Sequence, residues 1–148
     1  MTNQLNTTLL QWMQVVMRHS MRNLILFTKD RNSSMAMINA LFRVHYKGKC
    51  GVSDLGDHLG VSNAAASQML EKMVQQGLVA RIEDPQDRRN KLISLTPEGN
   101  VLVRESMEAR QGWLTELVDL LSPAEQEQIQ TSLQLLIDKT ATLDQKNI

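Results

Sequence analysis

Residues 52–77 have the sequence VSDLGDHLGVSNAAASQMLEKMVQQG, which predicts two short helices joined by a tight turn. Leu55 and Leu59 are four residues apart, so they share one face of a helix that Ser53 can cap. Gly60 follows, and a glycine readily takes the left-handed backbone conformation that reverses a chain after a helix. The first helix is therefore expected to be little more than a turn long and to end at Gly60.

The second helix is expected over residues 62–76, because it begins with a serine suited to N-capping and Gly77 follows its end. Val61 is expected to fill the corner between the two helices. Small residues at Gly56 and Ala66 allow the helices to cross closely at a steep angle. Together these features predict a helix-turn-helix.

The hydrophobic period changes from helical to alternating after Gly77. Residues 78–83 (LVARIE) and 90–95 (NKLISL) alternate as strands do, and residues 84–89 (DPQDRR) between them favour a turn. This pattern predicts a hairpin, or wing, with two arginines at its tip in residues 84–90. The segment is therefore a winged helix-turn-helix.

Amphipathic helices are predicted on both sides of this core. Apolar residues recur every three or four positions over residues 5–27, and a polar loop is expected at residues 29–34. Ser34 can cap a helix from Met35 to Lys47, whose apolar stripe comprises Ile38, Leu41, Phe42 and His45.

Two further start signals follow the wing. Thr96 and Pro97 suit the N-cap and first position of a long helix that would carry Trp113, and residues 122–125 (SPAE) form a capping box for a last helix. The predicted fold is mainly α with a small β-hairpin, in a single domain of residues 1–148. Residues 33–98 form its winged helix-turn-helix, and residues 1–30 and 100–148 are expected to be dimerisation helices, because the winged core is too small to bury every apolar stripe.

Composition narrows the possible functions. The chain has 148 residues, 42% hydrophobic and 22% charged, as in a globular protein, and aromatic residues make up only 3%. No apolar run approaches the roughly 18 residues of a membrane span, and no secretory signal is evident, so no membrane association is expected. The one cysteine, Cys50, excludes an internal disulfide, which favours a cytoplasmic location.

The distribution of charge suits a polyanion-binding centre. Sixteen Lys and Arg balance sixteen Asp and Glu, yet residues 29–104 hold eleven bases and eight acids, while residues 105–148 hold three bases and eight acids. The histidines His19, His45 and His58 form no catalytic or zinc-binding motif with Cys50. The sequence therefore predicts neither an enzyme nor a bound metal or other cofactor.

Several motifs resemble those of the multiple-antibiotic-resistance-repressor (MarR) family of transcription regulators. They are Asp54-Leu55, residues 59–62 (LGVS), residues 77–79 (GLV), residues 84–89 (DPQDRR) and residues 95–99 (LTPEG). The resemblance implies a homodimer on a double-stranded DNA operator, most often a repressor relieved by a ligand. It also implies that each subunit places a recognition helix in the major groove and a wing in the minor groove. By the same resemblance Arg89, two residues after Asp87, enters the minor groove.

Candidate DNA contacts follow from helical geometry and charge. The outward face of helix 62–76 carries no arginine. Gln68 can pair with an adenine edge, Ala64 can meet a thymine methyl group, and the Ser67 hydroxyl is compatible with several bases because it can donate or accept a hydrogen bond. Ser62 and Asn63 begin the helix, where backbone N–H groups favour a phosphate. Phosphate contacts are expected from Lys72, Arg88 and Lys91, with help from Lys47 and Lys49. These residues predict a site that favours A·T pairs.

A ligand pocket and two alternative functions are also considered. A small aromatic or anionic ligand is implied by the resemblance, and its predicted pocket comprises Met13, Met17, Arg18, His19, Met35 and Trp113. One alternative function is a helical adaptor that binds DNA weakly and without sequence preference. The other is a redox-sensing regulator acting through Cys50, whose pKa Lys47 and Lys49 would lower if the thiol were exposed.

Overall fold

The computed structural model describes residues 2–87 and 91–144. These residues form seven helices and a two-stranded hairpin: α1 (Thr2–Asp30), α2 (Met35–Lys47), α3 (Val52–Leu59), α4 (Asn63–Gln75), β1 (Val79–Glu83), β2 (Lys91–Leu95), α5 (Pro97–Gln111), α6 (Trp113–Asp119) and α7 (Pro123–Asp144). The chain divides into two compact units, residues 1–110 and 111–148. The mainly helical winged fold predicted from the sequence is confirmed.

Helix α2 follows its sequence signals closely. The Ser34 hydroxyl accepts a hydrogen bond from the Met37 N–H at 3.2 Å, and Gly48 ends the helix at a φ of 80°. Its buried stripe includes Ile38, Leu41 and Val44, but His45 is exposed and stands edge-on to the ring of Tyr46. The prediction that His45 belongs to the apolar stripe is therefore wrong, since its side chain leaves the core with the last turn of the helix.

Two helix boundaries differ from those expected. Helix α3 begins at Val52 with Gly51 as its N-cap, and the Asp54 carboxylate accepts a hydrogen bond from the Gly51 N–H at 3.1 Å. Ser53 is therefore inside the helix rather than its cap, because the aspartate already satisfies the first free N–H. Helix α1 continues to Asp30, which leaves a loop of residues 31–34.

The hairpin is antiparallel and pairs Val79 with Leu95 at its base and Glu83 with Lys91 near its tip. Cys50 extends this sheet by one residue, since it exchanges backbone hydrogen bonds with Ile93. The core beneath it is one apolar cluster drawn from α1, α2, α3, α4, the hairpin and α5, and its least exposed members include Leu41, Leu55, Leu70, Met73, Ile93 and Val103.

The long helix predicted after the wing is interrupted at Gly112, where α5 ends and α6 begins. Glycine is among the weakest helix formers, which favours a break here, although Gly112 itself keeps helical backbone angles (φ −53°, ψ −34°). The Ser122–Glu125 capping box is confirmed: the Ser122 N–H and hydroxyl donate to the Glu125 carboxylate at 2.8 and 2.7 Å. Among the described residues, no helix is both long and apolar enough to cross a membrane.

Candidate nucleic-acid interface

The turn between α3 and α4 holds the two helices in close contact. Gly60 takes the left-handed conformation at φ 65° and ψ 33°, as predicted. A Cβ on Gly56 would lie 3.5 Å from the Ala66 Cβ and 3.2 Å from the Val61 carbonyl oxygen, so this glycine is where the helices approach each other. The helix-turn-helix predicted from the sequence is confirmed.

Val61 does not fill the corner of this turn, as had been expected. Its side chain is 41% exposed, because the contact between Gly56 and Ala66 already closes the space between the helices. Val61 instead lines a groove of about 410 Å³ between the first turn of α2 and helix α4, together with Ala36, Gln68 and Lys72. The N-terminus of α2 thus lies beside the exposed side of α4.

The first turn of α4 presents the residues that were expected to meet a phosphate. The Ser62 hydroxyl accepts a hydrogen bond from the Ala65 N–H at 3.2 Å and thereby caps the helix. Ser62, Asn63 and Ala64 are all exposed. The positive end of the helix dipole and these polar groups therefore face solvent together, an arrangement that suits an anion.

The remaining outward positions of α4 form a continuous polar surface. Ala66, Leu70 and Met73 are buried, whereas Ser67, Gln68 and Lys72 are exposed on the opposite side. Rigid packing of the inner side fixes the direction in which the outer side chains project. The helix can therefore present Ser67 and Gln68 to the edges of bases, which is the geometry that direct readout requires.

The hairpin carries two ion pairs below its tip. Arg81 Nη2 donates to Glu71 Oε2 of α4 at 2.7 Å, and Lys91 Nζ donates to Glu83 Oε1 at 3.2 Å. Lys91, predicted as a phosphate contact, is thus placed at the wing beside an acid. Arg88 and Arg89 lie outside the described residues, so their DNA contacts stay predictions.

Lys47 and Lys49 lie at the other end of α2 from the recognition surface. The antiparallel bridge between Cys50 and Ile93 sets Lys49 toward the base of the hairpin, where it lines a shallow cavity with Ser94 and Asn100. The expectation that Lys47 and Lys49 assist at the DNA backbone stays a prediction.

The environment of Cys50 is unlike that of a reactive thiol. Its side chain is only 3% exposed. Burial raises the pKa of the thiol above its ordinary value; the Arg43 guanidinium lowers the pKa by less, and the Asp54 carboxylate raises it. Lys47 and Lys49 were expected to lower this pKa only if the thiol were exposed, and that condition is not met. The redox alternative loses its chemical basis, since a sensing cysteine needs an exposed thiolate.

We expect a chromogenic disulfide reagent to modify Cys50 in the native protein at least about tenfold more slowly than in the denatured chain at neutral pH. The raised pKa also means that the unfolded state loses this proton first, so the thiol's contribution to stability should be lost as the pH rises above 9.0, its ordinary pKa. The only cysteine is Cys50, which makes the absorbance signal specific. Equal rates in the two states would restore the redox alternative.

The residues predicted to form a ligand pocket occupy three elements. Met13, Met17, Arg18 and His19 are on α1, Met35 is on α2 and Trp113 begins α6. Met13, Met17 and Arg18 are exposed, His19 and Met35 are half-buried, and Trp113 is buried. Within residues 2–87 and 91–144, no group of three or more His, Cys, Asp or Glu side chains has a metal-binding arrangement.

Comparison with known proteins finds sequence similarity to transcription regulators. Residues 34–91 match the sequence model of the MarR family. The transcriptional regulator YfiV of Bacillus subtilis is 27% identical over 103 residues, which are 70% of this chain and 64% of YfiV. The transcriptional repressor MprA of Escherichia coli is 24% identical over 127 residues, 86% of this chain and 72% of MprA. The chain thus spans a little under two thirds of the length of YfiV, and the relatives named here are transcription regulators rather than enzymes.

Solved structures share the fold. The transcriptional regulator Tm0710 of Thermotoga maritima has a TM-score of 0.80 at 18% identity, covering 95% of this chain and 96% of its own. The Staphylococcus aureus MepR–DNA complex has a TM-score of 0.66 at 20% identity, and the match covers 86% of this chain and 96% of the MepR chain. The DNA binding of Bordetella bronchiseptica BpsR is regulated by 6-hydroxynicotinic acid. Its structure has a TM-score of 0.53 at 26% identity, and the match covers 84% of this chain and 91% of the BpsR chain.

Proposed function

We propose that the chain is a sequence-specific, DNA-binding transcription regulator of the MarR family, whose sequence model matches residues 34–91. The observation that carries the proposal is the exposed polar face of α4, held in a fixed direction by the close packing of Gly56 on Ala66. In the proposed complex, helix 62–76 enters the major groove and wing 84–90 enters the minor groove. A regulator of this kind would act on DNA in the cytoplasm.

Base readout is proposed to come from the middle of α4. Gln68 would pair with an adenine edge, Ala64 would contact a thymine methyl group, and Ser67 would be compatible with several bases. Ser62, Asn63 and Lys72 would contact phosphates, together with Arg88 and Lys91 of the wing. Arg89 would enter the minor groove. Because no arginine projects from this face, the preferred operator should be rich in A·T pairs.

A homodimer is proposed because long apolar surfaces remain uncovered in one subunit. Helix α1 exposes Leu5, Leu9, Met13 and Met17, and helix α7 exposes Ile129, Leu133 and Ile137. Exposed apolar surface of this kind marks an association site. Residues 1–30 and 100–148 would supply the dimer contacts and residues 33–98 the DNA contacts. Two recognition helices would then read half-sites about 10 base pairs apart, centre to centre.

Repression relieved by a ligand is proposed as the mode of regulation. MprA is a repressor, and the DNA binding of BpsR responds to 6-hydroxynicotinic acid, an aromatic compound. A small aromatic or anionic molecule would suit the methionines of α1 with Arg18, His19, Met35 and Trp113, since thioethers repack readily around flat rings.

Selection of DNA from a random duplex pool tests the proposal without knowledge of the operator. The enriched duplex and a shuffled version are then compared by fluorescence anisotropy across a series of salt concentrations. We expect the enriched duplex to bind at least about a thousandfold more tightly, with an affinity that falls steeply as salt rises. Equal, weak binding to both duplexes would reject a sequence-specific regulator and favour the adaptor alternative.

Substituting Gln68 by alanine should relax the sequence preference more than it lowers the affinity. The loss of one base contact should remove about 1–3 kcal/mol of discrimination at one position of the half-site. Selection with Gln68→Ala should therefore lose the preference at that position, and Gln75→Ala, which removes the same side chain at the exposed end of α4, is the matched control. An unchanged preference in Gln68→Ala would show that this face does not read bases.

A further inference from the structure

Helix α4, proposed to enter the major groove, carries one acidic side chain. Glu71 is one helical turn beyond Ser67 and Gln68 on α4, and its side chain is 50% exposed. An unmasked carboxylate at this place would repel the phosphates on either side of the groove. Its partner is Arg81 of β1, whose Nη2 lies 2.7 Å from Glu71 Oε2.

The register of the hairpin explains why Arg81 reaches α4. Side chains alternate along a strand, so Val79 and Arg81 share one face of the sheet. Val79 is buried, and Arg81 lies opposite Ile93, which is also buried. Val79 lies in the core, whereas Arg81, two residues later on the same face, is exposed. Its guanidinium therefore reaches Glu71 of α4.

We infer that Arg81 is a positioning residue for DNA recognition, which neutralises Glu71 on the recognition face and ties helix α4 to the wing strand. The inference rests on the proposed function. Both side chains are about half exposed, at 44% and 50%, and ion pairs that open to solvent contribute little to stability. The pair joins the element proposed for the major groove to the element proposed for the minor groove, so its effect should appear in DNA binding.

Arg81 could instead contact a phosphate directly, and the two roles give different results in a double-mutant cycle. If Arg81 acts by masking Glu71, removing the carboxylate makes the arginine dispensable. If Arg81 binds phosphate, its loss costs the same whether or not the carboxylate is present. Arg81→Met keeps much of the side-chain length, and Glu71→Gln keeps the shape of the carboxylate without its charge.

The test measures the affinity of wild type, Arg81→Met, Glu71→Gln and the double variant for the duplex that wild type enriches. We expect Arg81→Met to bind about tenfold more weakly and the double variant to bind within about threefold of Glu71→Gln. Equal losses in the two backgrounds would overturn the masking role. No enriched duplex for wild type would overturn the proposed function and the inference together, so the two failures are distinguishable.

Two controls separate this role from a loss of folding. The melting temperature of Arg81→Met should fall by no more than about 2–4 °C, as expected for an exposed pair. Arg31 also pairs with an acid, with 2.8 Å between Arg31 Nη2 and Glu105 Oε2, and it lies outside both the proposed DNA contacts and the proposed dimer contacts. Arg31→Met should leave the affinity within about twofold of wild type. A tenfold loss there would show that any unpaired acid weakens binding and would overturn the specific role of Arg81.

Discussion

Substituting Gly99 by alanine should lower the free energy of unfolding by about 2–3 kcal/mol. Gly99 is buried in the first turn of α5, and a Cβ there would overlap the backbone carbonyl oxygen of Leu78. A carbonyl oxygen fixed in the backbone cannot rotate aside as the end of a side chain can. The clash should therefore exceed the gain of up to about 1 kcal/mol that alanine normally brings to a helix.

Three hydrogen bonds keep α5 from moving away from this contact. The Thr96 N–H donates to the Leu78 oxygen at 3.2 Å, the Thr96 hydroxyl donates to the Gly77 oxygen at 2.6 Å, and the Gly99 N–H donates to the Thr96 hydroxyl at 3.0 Å. Relief of the overlap would lengthen at least one of them. The start of α5 is thus fastened to the turn between α4 and β1, so strain at Gly99 reaches the winged core.

Thermal or urea denaturation measures the effect, and the melting temperature of Gly99→Ala should fall by about 5–10 °C. Gly51→Ala is the matched control, because its Cβ would meet only the Asp54 carboxylate, at an ordinary 3.5 Å. That control should cost under about 1 kcal/mol, the usual difference between glycine and alanine at an N-cap. If the two variants were equally stable, the close approach of α5 to Leu78 would be wrong.

Local signals in the sequence were sufficient for most of the fold. Serine or threonine at positions 34, 62, 96 and 122 caps a helix in the structure as predicted, because a cap depends on only three or four neighbouring residues. The same is true of Gly60, where a single positive φ makes the turn. The starts and the order of these four helices therefore followed from the sequence.

Features that depend on several elements at once were predicted less well. Val61 was assigned to the corner of the turn, but the close contact of Gly56 with Ala66 leaves no room for it. The position of Lys49 depends on the Cys50–Ile93 bridge, which a local pattern cannot reveal. At Gly112 the chain could continue one helix or end it and begin another. The low helix propensity of one glycine does not determine which of the two occurs.

The Glu71–Arg81 pair shows what the sequence analysis missed at the candidate site. Neither Glu71 nor Arg81 was predicted to take part in DNA binding. Arg81 lies two residues after Val79, and strand alternation alone would have placed it on the face that packs toward α4. That Arg81 meets Glu71 depends in addition on the direction of α4 relative to the hairpin, which no local pattern contains.

The wing should dominate the affinity for DNA, so Arg89→Ala should weaken binding to the enriched duplex by about 100-fold. The narrow minor groove of A·T-rich DNA concentrates negative potential, and a guanidinium inserted there gains more than one at an open phosphate. A proposed dimer carries two wings, so one substitution removes two such contacts. Because each contact releases counterions, the dependence of affinity on salt should flatten as well.

Fluorescence anisotropy over a salt series measures both effects, with two matched variants for comparison. Arg89→Lys keeps the charge but loses the planar fork of donors, so its affinity should fall between wild type and Arg89→Ala. Arg31→Ala removes the same charge from an exposed side chain between α1 and α2, and its affinity should stay within about twofold of wild type. If Arg89→Ala bound as tightly as Arg31→Ala, affinity would come from helix α4 alone, and the resemblance that places Arg89 in the minor groove would not extend to this wing.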